Sequence, residues 1–164
     1  MQHRATLKYT EPMVERAVRL FWLRTVGYGE LVAVLVMIAV LAWRYGAGDR
    51  SWIVGVLATF VFLSIVLPVT IYVVHYRNTL EKFRAMKEPV AEFTVDDDVL
   101  TLASDQGTAT MKWSAVTEVW RFESLWLVLF SKSQFVTIPL EGLPESMQSF
   151  VLERVKASGG KIAD

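Results

Sequence analysis

The sequence contains no cysteine and only two histidines among its 164 residues. Without cysteine, the chain cannot form disulfide scaffolds, thiolate zinc sites or thiol nucleophiles. The histidines, His3 and His75, lie far apart in the sequence, so a histidine-rich metal site or a Ser-His-Asp triad has almost no material. No Gly-x-Ser-x-Gly elbow, phosphate-binding glycine loop or His-Glu-x-x-His motif is present either. We therefore expect a non-enzymatic protein that uses no metal and no cofactor.

Charged residues are also scarce, and they are unevenly distributed. They make up 21% of the chain and hydrophobic residues 53%, against roughly 25% and about 45–50% in soluble domains. Residues 1–88 contain eleven Lys and Arg against six acids, a net charge of +5, whereas residues 89–164 contain six against eleven, a net charge of −5. This contrast predicts two domains, 1–88 and 89–164.

Two apolar runs occupy the first domain. The 23 residues from Trp52 to Val74 carry no formal charge, and Val26 to Trp43 carries only Glu30. At about 1.5 Å per helical residue, runs of this length can cross a hydrocarbon core of about 30 Å. We predict a transmembrane helical hairpin with spans at about 26–45 and 51–76, joined by a turn rich in glycine and charge. A buried hairpin of a soluble domain is the alternative, and a chain this small is poorly suited to enclose it.

Basic residues predict the orientation of this hairpin, because Lys and Arg resist translocation. Nine of them flank the outer ends of the two spans, whereas the connecting loop has only Arg44 and Arg50. The nine are Arg4, Lys8, Arg16, Arg19, Arg24, Arg77, Lys82, Arg84 and Lys87. Both termini should therefore be cytoplasmic.

Residues 11–24 form a predicted amphipathic helix, with Val14, Ala17, Val18 and Phe21 on one face at helical spacing. Either this helix lies on the anionic cytoplasmic leaflet, with Arg16, Arg19 and Arg24 as anchoring candidates, or it extends the first span and packs against the second domain. Gly27 and Gly29 would then break the helix or merely loosen it.

Glu30 is the only acid within a predicted span. Intramembrane acids are candidates for proton relays and ion sites. Glu30 lies about one turn from the cytoplasmic end, however, where its carboxylate can reach headgroups or Arg24. We keep both interpretations and favour the anchoring one.

The sequence pattern of the second domain is typical of a β-sheet. Short stretches of alternating apolar and polar residues are separated by turns rich in Asp and Gly, which predicts about six antiparallel strands. An amphipathic helix opening at Pro144 and ending at Ser158–Gly160 follows. The pattern predicts a pleckstrin-homology-like β half-barrel capped by a C-terminal helix. The stretch 5–9 also alternates and could add a strand to an edge of this sheet.

Acidic and aromatic residues of this domain offer a few further candidates. Asp96–Asp98 is the only dense acid cluster, and its position between two strands indicates a hairpin turn. Trp113 is expected in the core. Trp120 and Trp126 flank a predicted turn and are candidates to face the membrane or a partner. Nucleic-acid binding is not expected, because a net charge of −5 cannot neutralise phosphates.

Several short motifs resemble those of the YcxB-like family of bacterial membrane proteins. They are Lys8-Tyr-Thr before a helix rich in Ala and Arg, two apolar spans, Lys112-Trp-Ser-Ala-Val116, Leu125-Trp-Leu-Val-Leu129 and Ile138-Pro139. The resemblance implies a two-span anchor in the bacterial inner membrane and a cytoplasmic domain similar to bacterial pleckstrin-homology-like folds. It implies no activity and no catalytic residues.

From these observations we expect a non-enzymatic, multi-pass inner-membrane protein whose cytoplasmic domain binds a protein or peptide. One alternative is an immunity protein that neutralises a toxin acting at the inner membrane. The other is an enzyme acting on lipid, with Glu30 or the Asp96–Asp98 cluster as its base. The expected partners are the lipid bilayer, a protein or peptide that could be such a toxin, and further copies of the chain in a homo-oligomer.

Overall fold

The computed structural model describes residues 3–131 and 134–164. Two long helices stand near the N-terminus and are followed by a mostly antiparallel β region with one further helix. The elements in chain order are β1 (His3–Lys8), α1 (Glu11–Gly46), α2 (Trp52–Ala85), β2 (Val90–Val95), β3 (Val99–Ser104), β4 (Gly107–Lys112), a 3-10 helix (Trp113–Ala115), β5 (Glu118–Arg121), β6 (Leu125–Leu129), β7 (Phe135–Pro139), α3 (Glu145–Ala157) and β8 (Lys161–Ala163). The fold is therefore α+β, as predicted.

The chain forms two compact units. The β unit contains the chain up to Ala17 together with Thr79–Asp164, and the hairpin unit contains Val18–Asn78. This division differs from a single cut at residue 88, because β1 pairs with β2 and the outermost turns of α1 and α2 belong with the strands. Within the β unit, the Arg84 guanidinium lies 2.5 Å from the Glu11 carboxylate and joins these two helix ends.

The strands form two four-stranded sheets, with the orders β1-β2-β3-β4 and β7-β6-β5-β8. The predicted edge strand near the N-terminus is present as β1, whose Lys8 is paired with Val90. Tyr9 continues this pairing, since its backbone N–H donates to the Pro89 carbonyl at 2.8 Å. The whole segment 9–89, including both long helices, is thus an insertion between two neighbouring antiparallel strands.

Alternation in the strands builds one hydrophobic core. Every second residue of β2, namely Ala91, Phe93 and Val95, is buried, as a sheet with one covered face requires. α3 covers this core with Met147, Val151 and Val155. The remaining members of the core are Leu7, Leu100, Trp113, Val116, Val119, Trp126, Val128, Ile138 and Leu143.

The C-terminal strand β8 is not anticipated by the sequence pattern. It pairs parallel to β5, so the second sheet is mixed rather than purely antiparallel. Gly160 allows this connection, because an added Cβ would lie 2.7 Å from Val155 Cγ1 and 3.0 Å from the Val116 carbonyl oxygen. Its N–H donates to the Val155 carbonyl at 2.9 Å and closes the end of α3.

The two long helices have the length and composition of membrane spans. α2 has 34 residues and is therefore about 50 Å long, which exceeds a hydrocarbon core. Most large apolar side chains of the hairpin unit are exposed, including Phe60 at 60%, Phe62 at 63% and Leu35 at 65%. A surface of this kind is typical of helices that require an apolar environment.

Candidate functional site

A helix break interrupts the first long helix. Gly27 has φ 75° and ψ 154° inside α1, a backbone conformation essentially confined to glycine. The break separates the amphipathic residues 11–26 from the apolar run that follows. Of the two outcomes considered for Gly27, the structure therefore shows a break, whereas Gly29 lies in helix without a positive φ.

A cleft of about 220 Å³ opens beside this break, within the hairpin unit. Its walls come from the residues before and after Gly27 and from the middle of α2. We call it the hairpin cleft. It is lined by Val18, Phe21, Trp22, Thr25, Val26, Glu30, Pro68, Ile71, Tyr72 and His75. Most of these side chains are apolar or aromatic, and Glu30 is the only acid among them.

Aromatic contacts fix one wall of the hairpin cleft. The rings of Trp22 and Tyr72 meet edge to face with centroids 5.4 Å apart, and Tyr72 stacks on Tyr76 at 5.9 Å. The Trp22 indole N–H donates to the Pro68 carbonyl at 3.1 Å. His75 packs against Phe21, with ring centroids 6.4 Å apart. These contacts join the amphipathic segment of α1 to α2 and hold the aromatic rings in defined positions.

Glu30 lies in the wall of the hairpin cleft and is exposed. Within residues 3–131 and 134–164, its carboxylate has no ion-pair partner. The sequence pointed to Glu30 as an acid in a span, but it did not point to Trp22, Tyr72 or His75 as its neighbours. For the cleft residues of α2, the available signal was their spacing at positions 68, 71, 72 and 75, which places them on one face of a helix; Trp22 lies on α1 and carried no such signal.

The basic candidates have different surroundings. Arg16 donates a hydrogen bond of 3.2 Å to the Ser124 hydroxyl within the β unit, whereas Arg19 is exposed and Arg24 is half-buried. Val14 and Ala17 are buried at 7% and 1% exposure. The start of α1 therefore packs against the second half of the chain, which was one of the two interpretations of residues 11–24.

Trp120 and Trp126 do not face outwards, in contrast to the sequence-based expectation. They are 7% and 3% exposed, and Trp126 belongs to the core of the β unit. The predicted turn between them is present, since the Phe122 N–H donates to the Leu125 carbonyl at 3.0 Å. The reason for the difference is that the consecutive residues Val119 and Trp120 of β5 and all five residues of β6 are buried, so both faces of these two inner strands are covered. Trp113 is in the core as predicted.

The acid cluster Asp96–Asp98 forms the predicted hairpin turn between β2 and β3. The Asp96 carboxylate accepts the backbone N–H groups of Asp98 at 2.9 Å and Val99 at 2.8 Å. These two hydrogen bonds, with that of Val99 the stronger cause, lower the pKa of Asp96. Asp97 forms an ion pair with Arg154. The cluster thus has a structural role, and no group of three or more metal-ligating side chains occurs in the described part of the chain.

The strand β4 forms an exposed edge of the first sheet. Among the described residues it pairs only with β3, and all of its side chains except that of Met111 are exposed. Antiparallel pairs alternate between bonded and non-bonded positions. Because the Trp113 N–H bonds to the Asp98 carbonyl at 3.4 Å, the alternation directs the backbone groups of Thr108, Thr110 and Lys112 away from β3. We call this row the β4 edge.

The β unit matches a known protein family. The model of a family described as YcxB-like protein matches residues 95–153, which confirms the resemblance to this family over most of the β unit's strands and part of α3. No curated protein and no solved structure matches the chain significantly.

Proposed function

We propose that the YcxB-like segment is the partner-binding part of a non-enzymatic, two-span protein of the bacterial inner membrane, and that it binds a protein or peptide along the β4 edge in the cytoplasm. The β unit has a pleckstrin-homology-like architecture in this proposal. Two four-stranded sheets around one core, with α3 covering them, support this assignment.

Membrane insertion is supported by the surface of the hairpin unit. Its large side chains are apolar and exposed along both helices, and formal charge is absent from Trp52 to Val74. Trp43 and Trp52 are 73% and 77% exposed at the ends of the spans that face each other across the turn. Aromatic side chains favour this position, where the hydrocarbon meets the headgroups.

The pairing of β1 with β2 supports a hairpin whose two ends lie on one side of the bilayer. A bilayer cannot pass between strands that are hydrogen-bonded to each other, so the strands before and after the hairpin share one compartment. The excess of Lys and Arg near these ends favours the cytoplasm as that compartment. Both termini are then cytoplasmic.

The β4 edge is the observation that carries the proposed binding function. An exposed edge strand offers a row of backbone donors and acceptors to which an extended peptide can add as a further strand. β4 has no inward-pointing charge or proline that would block such an addition, and only Lys112 at its end is charged. Its two exposed threonines, Thr108 and Thr110, have small side chains that leave the outward backbone groups accessible to a peptide.

A proline at position 110 tests this mode of binding. Thr110→Pro removes an outward N–H and leaves the bonds between β3 and β4, so it should abolish strand addition while the sheet persists. Thr110→Ala is the matched control, because it removes the same side-chain hydrogen bond to Thr101 but keeps the N–H. A photo-crosslinking amino acid at Lys112 of the full chain, in its native membrane, reports the contact.

We expect discrete crosslinked adducts in the wild type and in Thr110→Ala, and their loss in Thr110→Pro. A crosslinker at the exposed Glu153 on α3 gives the background level. Adducts at Lys112 that do not exceed this background, or that persist in Thr110→Pro, would overturn binding along the β4 edge.

A further inference from the structure

We infer that the hairpin cleft is a binding site for a phospholipid with a primary-amine headgroup, which places its ammonium at Glu30 and the upper part of an acyl chain along the apolar wall. This inference rests on the proposed function, because it requires the hairpin unit to lie in a bilayer. It assigns a ligand to a site that the proposed binding along the β4 edge does not involve.

The charge of Glu30 is the first argument. An ionised carboxylate within a span is costly unless a cation accompanies it, and Glu30 has no ion-pair partner in the described part of the chain. The described residues that line the hairpin cleft include no Lys or Arg. A cationic group supplied by the surrounding lipid would complete the site, and the ammonium of an aminophospholipid is the cation that a bilayer provides at headgroup depth.

The shape and chemistry of the cleft are the second argument. Val18, Val26 and Ile71 form an apolar surface on which methylene groups can pack. The rings of Trp22 and Tyr72, whose centroids are 5.4 Å apart, also line the cleft. The faces of such rings attract an ammonium group. The hairpin cleft therefore combines an acid, aromatic rings and an apolar surface within one ligand's reach.

The same chemistry discriminates between headgroups. A primary ammonium donates hydrogen bonds to a carboxylate, and such charge-assisted bonds are short and strong. A trimethylammonium headgroup has no N–H to donate, and a glycerol headgroup has no positive charge to offset the repulsion between Glu30 and the lipid phosphate. We therefore expect phosphatidylethanolamine to be preferred over phosphatidylcholine and phosphatidylglycerol.

Fluorescence quenching of Trp22 by brominated lipid tests this preference. The full chain carrying Trp43→Phe and Trp52→Phe, which removes the two exposed indoles at the turn, is reconstituted into phosphatidylglycerol vesicles. Each sample contains a minor fraction of one lipid with dibrominated acyl chains and an ethanolamine, choline or glycerol headgroup. The part of the quenching that Trp22→Phe removes is the signal from the hairpin cleft. Co-flotation of protein and vesicles is measured in every sample.

We expect several-fold stronger quenching of Trp22 by the ethanolamine lipid, loss of this preference in Glu30→Gln, and its retention in Glu30→Asp. Glu15→Gln, which removes an acid outside the cleft, should keep it. Equal quenching by the three headgroups, or a preference that survives in Glu30→Gln, would overturn the lipid site while leaving the membrane anchor intact. A chain that fails to float with the vesicles would overturn the anchor and the lipid site together.

Discussion

Trp113 and Asp96 stabilise the β unit through hydrogen bonds between their side chains and backbone groups. Trp113 closes β4 with a buried ring, and its indole N–H donates to the Asp96 carbonyl at 2.8 Å. Asp96 in turn holds the N–H groups of the turn that precedes β3. The sequence identified both roles in outline, because an acid cluster between two alternating stretches is typical of a hairpin turn.

The turn at Asp96 predicts a measurable pH dependence. The pKa of Asp96 is lower in the folded chain than its usual value, so the carboxylate contributes stability above the unfolded pKa of about 4, and this contribution is lost as the pH falls through the folded pKa. Asp96→Asn keeps an accepting oxygen but does not titrate. The wild type should therefore be more stable than Asp96→Asn at neutral pH, and the difference should shrink in acid.

Thermal unfolding of the two proteins in detergent between neutral and acidic pH measures this difference. Asp98→Asn is the neighbouring control, because Asp98 contributes to the turn through its backbone N–H and carbonyl. A difference between wild type and Asp96→Asn that is the same at every pH would contradict the prediction.

At the scale of helices and strands, local pattern predicted most of the elements. Alternation located β2 to β7, the proline and glycine signals located α3, and the stretch at residues 5–9 suggested β1. β8 was not predicted, because a strand of three residues is too short to show alternation. Its pairing with β5 is parallel and joins residues that are distant in sequence. The predicted outward placement of Trp120 and Trp126 was wrong for a related reason, since the burial of both faces of β5 and β6 depends on the complete fold.

The break in α1 gives a prediction for two neighbouring glycines. Gly27→Ala forces a side chain into a backbone conformation that only glycine adopts readily, at a cost of about 1–3 kcal/mol. Gly29→Ala introduces the same methyl group in helical backbone with no atom within 4 Å of the new Cβ, and it should stabilise the helix by up to about 1 kcal/mol. The midpoint temperature of thermal unfolding in detergent should therefore fall in Gly27→Ala and rise in Gly29→Ala. Equal shifts would show that the break is not required.

For the molecule as a whole, charge and hydropathy predicted two regions, but not where they are divided. The unit boundaries at Ala17 and Thr79 depend on strand pairing between residues that are far apart in sequence. The hairpin cleft was beyond sequence analysis for the same reason. Its walls meet only when α1 is broken and both helices are packed, so Glu30 alone was visible as a candidate.

The absence of cysteine makes the proposed topology directly testable. Three single-cysteine variants replace Arg4 in β1, Ala47 in the turn between α1 and α2, and Glu153 on α3. In spheroplasts, whose inner membrane is intact, a membrane-impermeant maleimide should label Ala47→Cys alone. Lysis should make the other two cysteines accessible. Labelling of Arg4→Cys and Ala47→Cys from the same side would contradict a two-span hairpin.

The insertion of both long helices between β1 and β2 has a consequence for biosynthesis. β1 is synthesised before its partner β2, which follows only after residues 9–89 have been made, so β1 stays unpaired until then; in the proposed topology, the two helices are inserted into the membrane during this interval. Its pairing then requires that the two helix ends return to one place, as they do in a correctly inserted hairpin. In the proposed topology, completion of the first sheet is thereby coupled to insertion, and a chain with a misdirected helix retains an unpaired β2 edge that is open to aggregation.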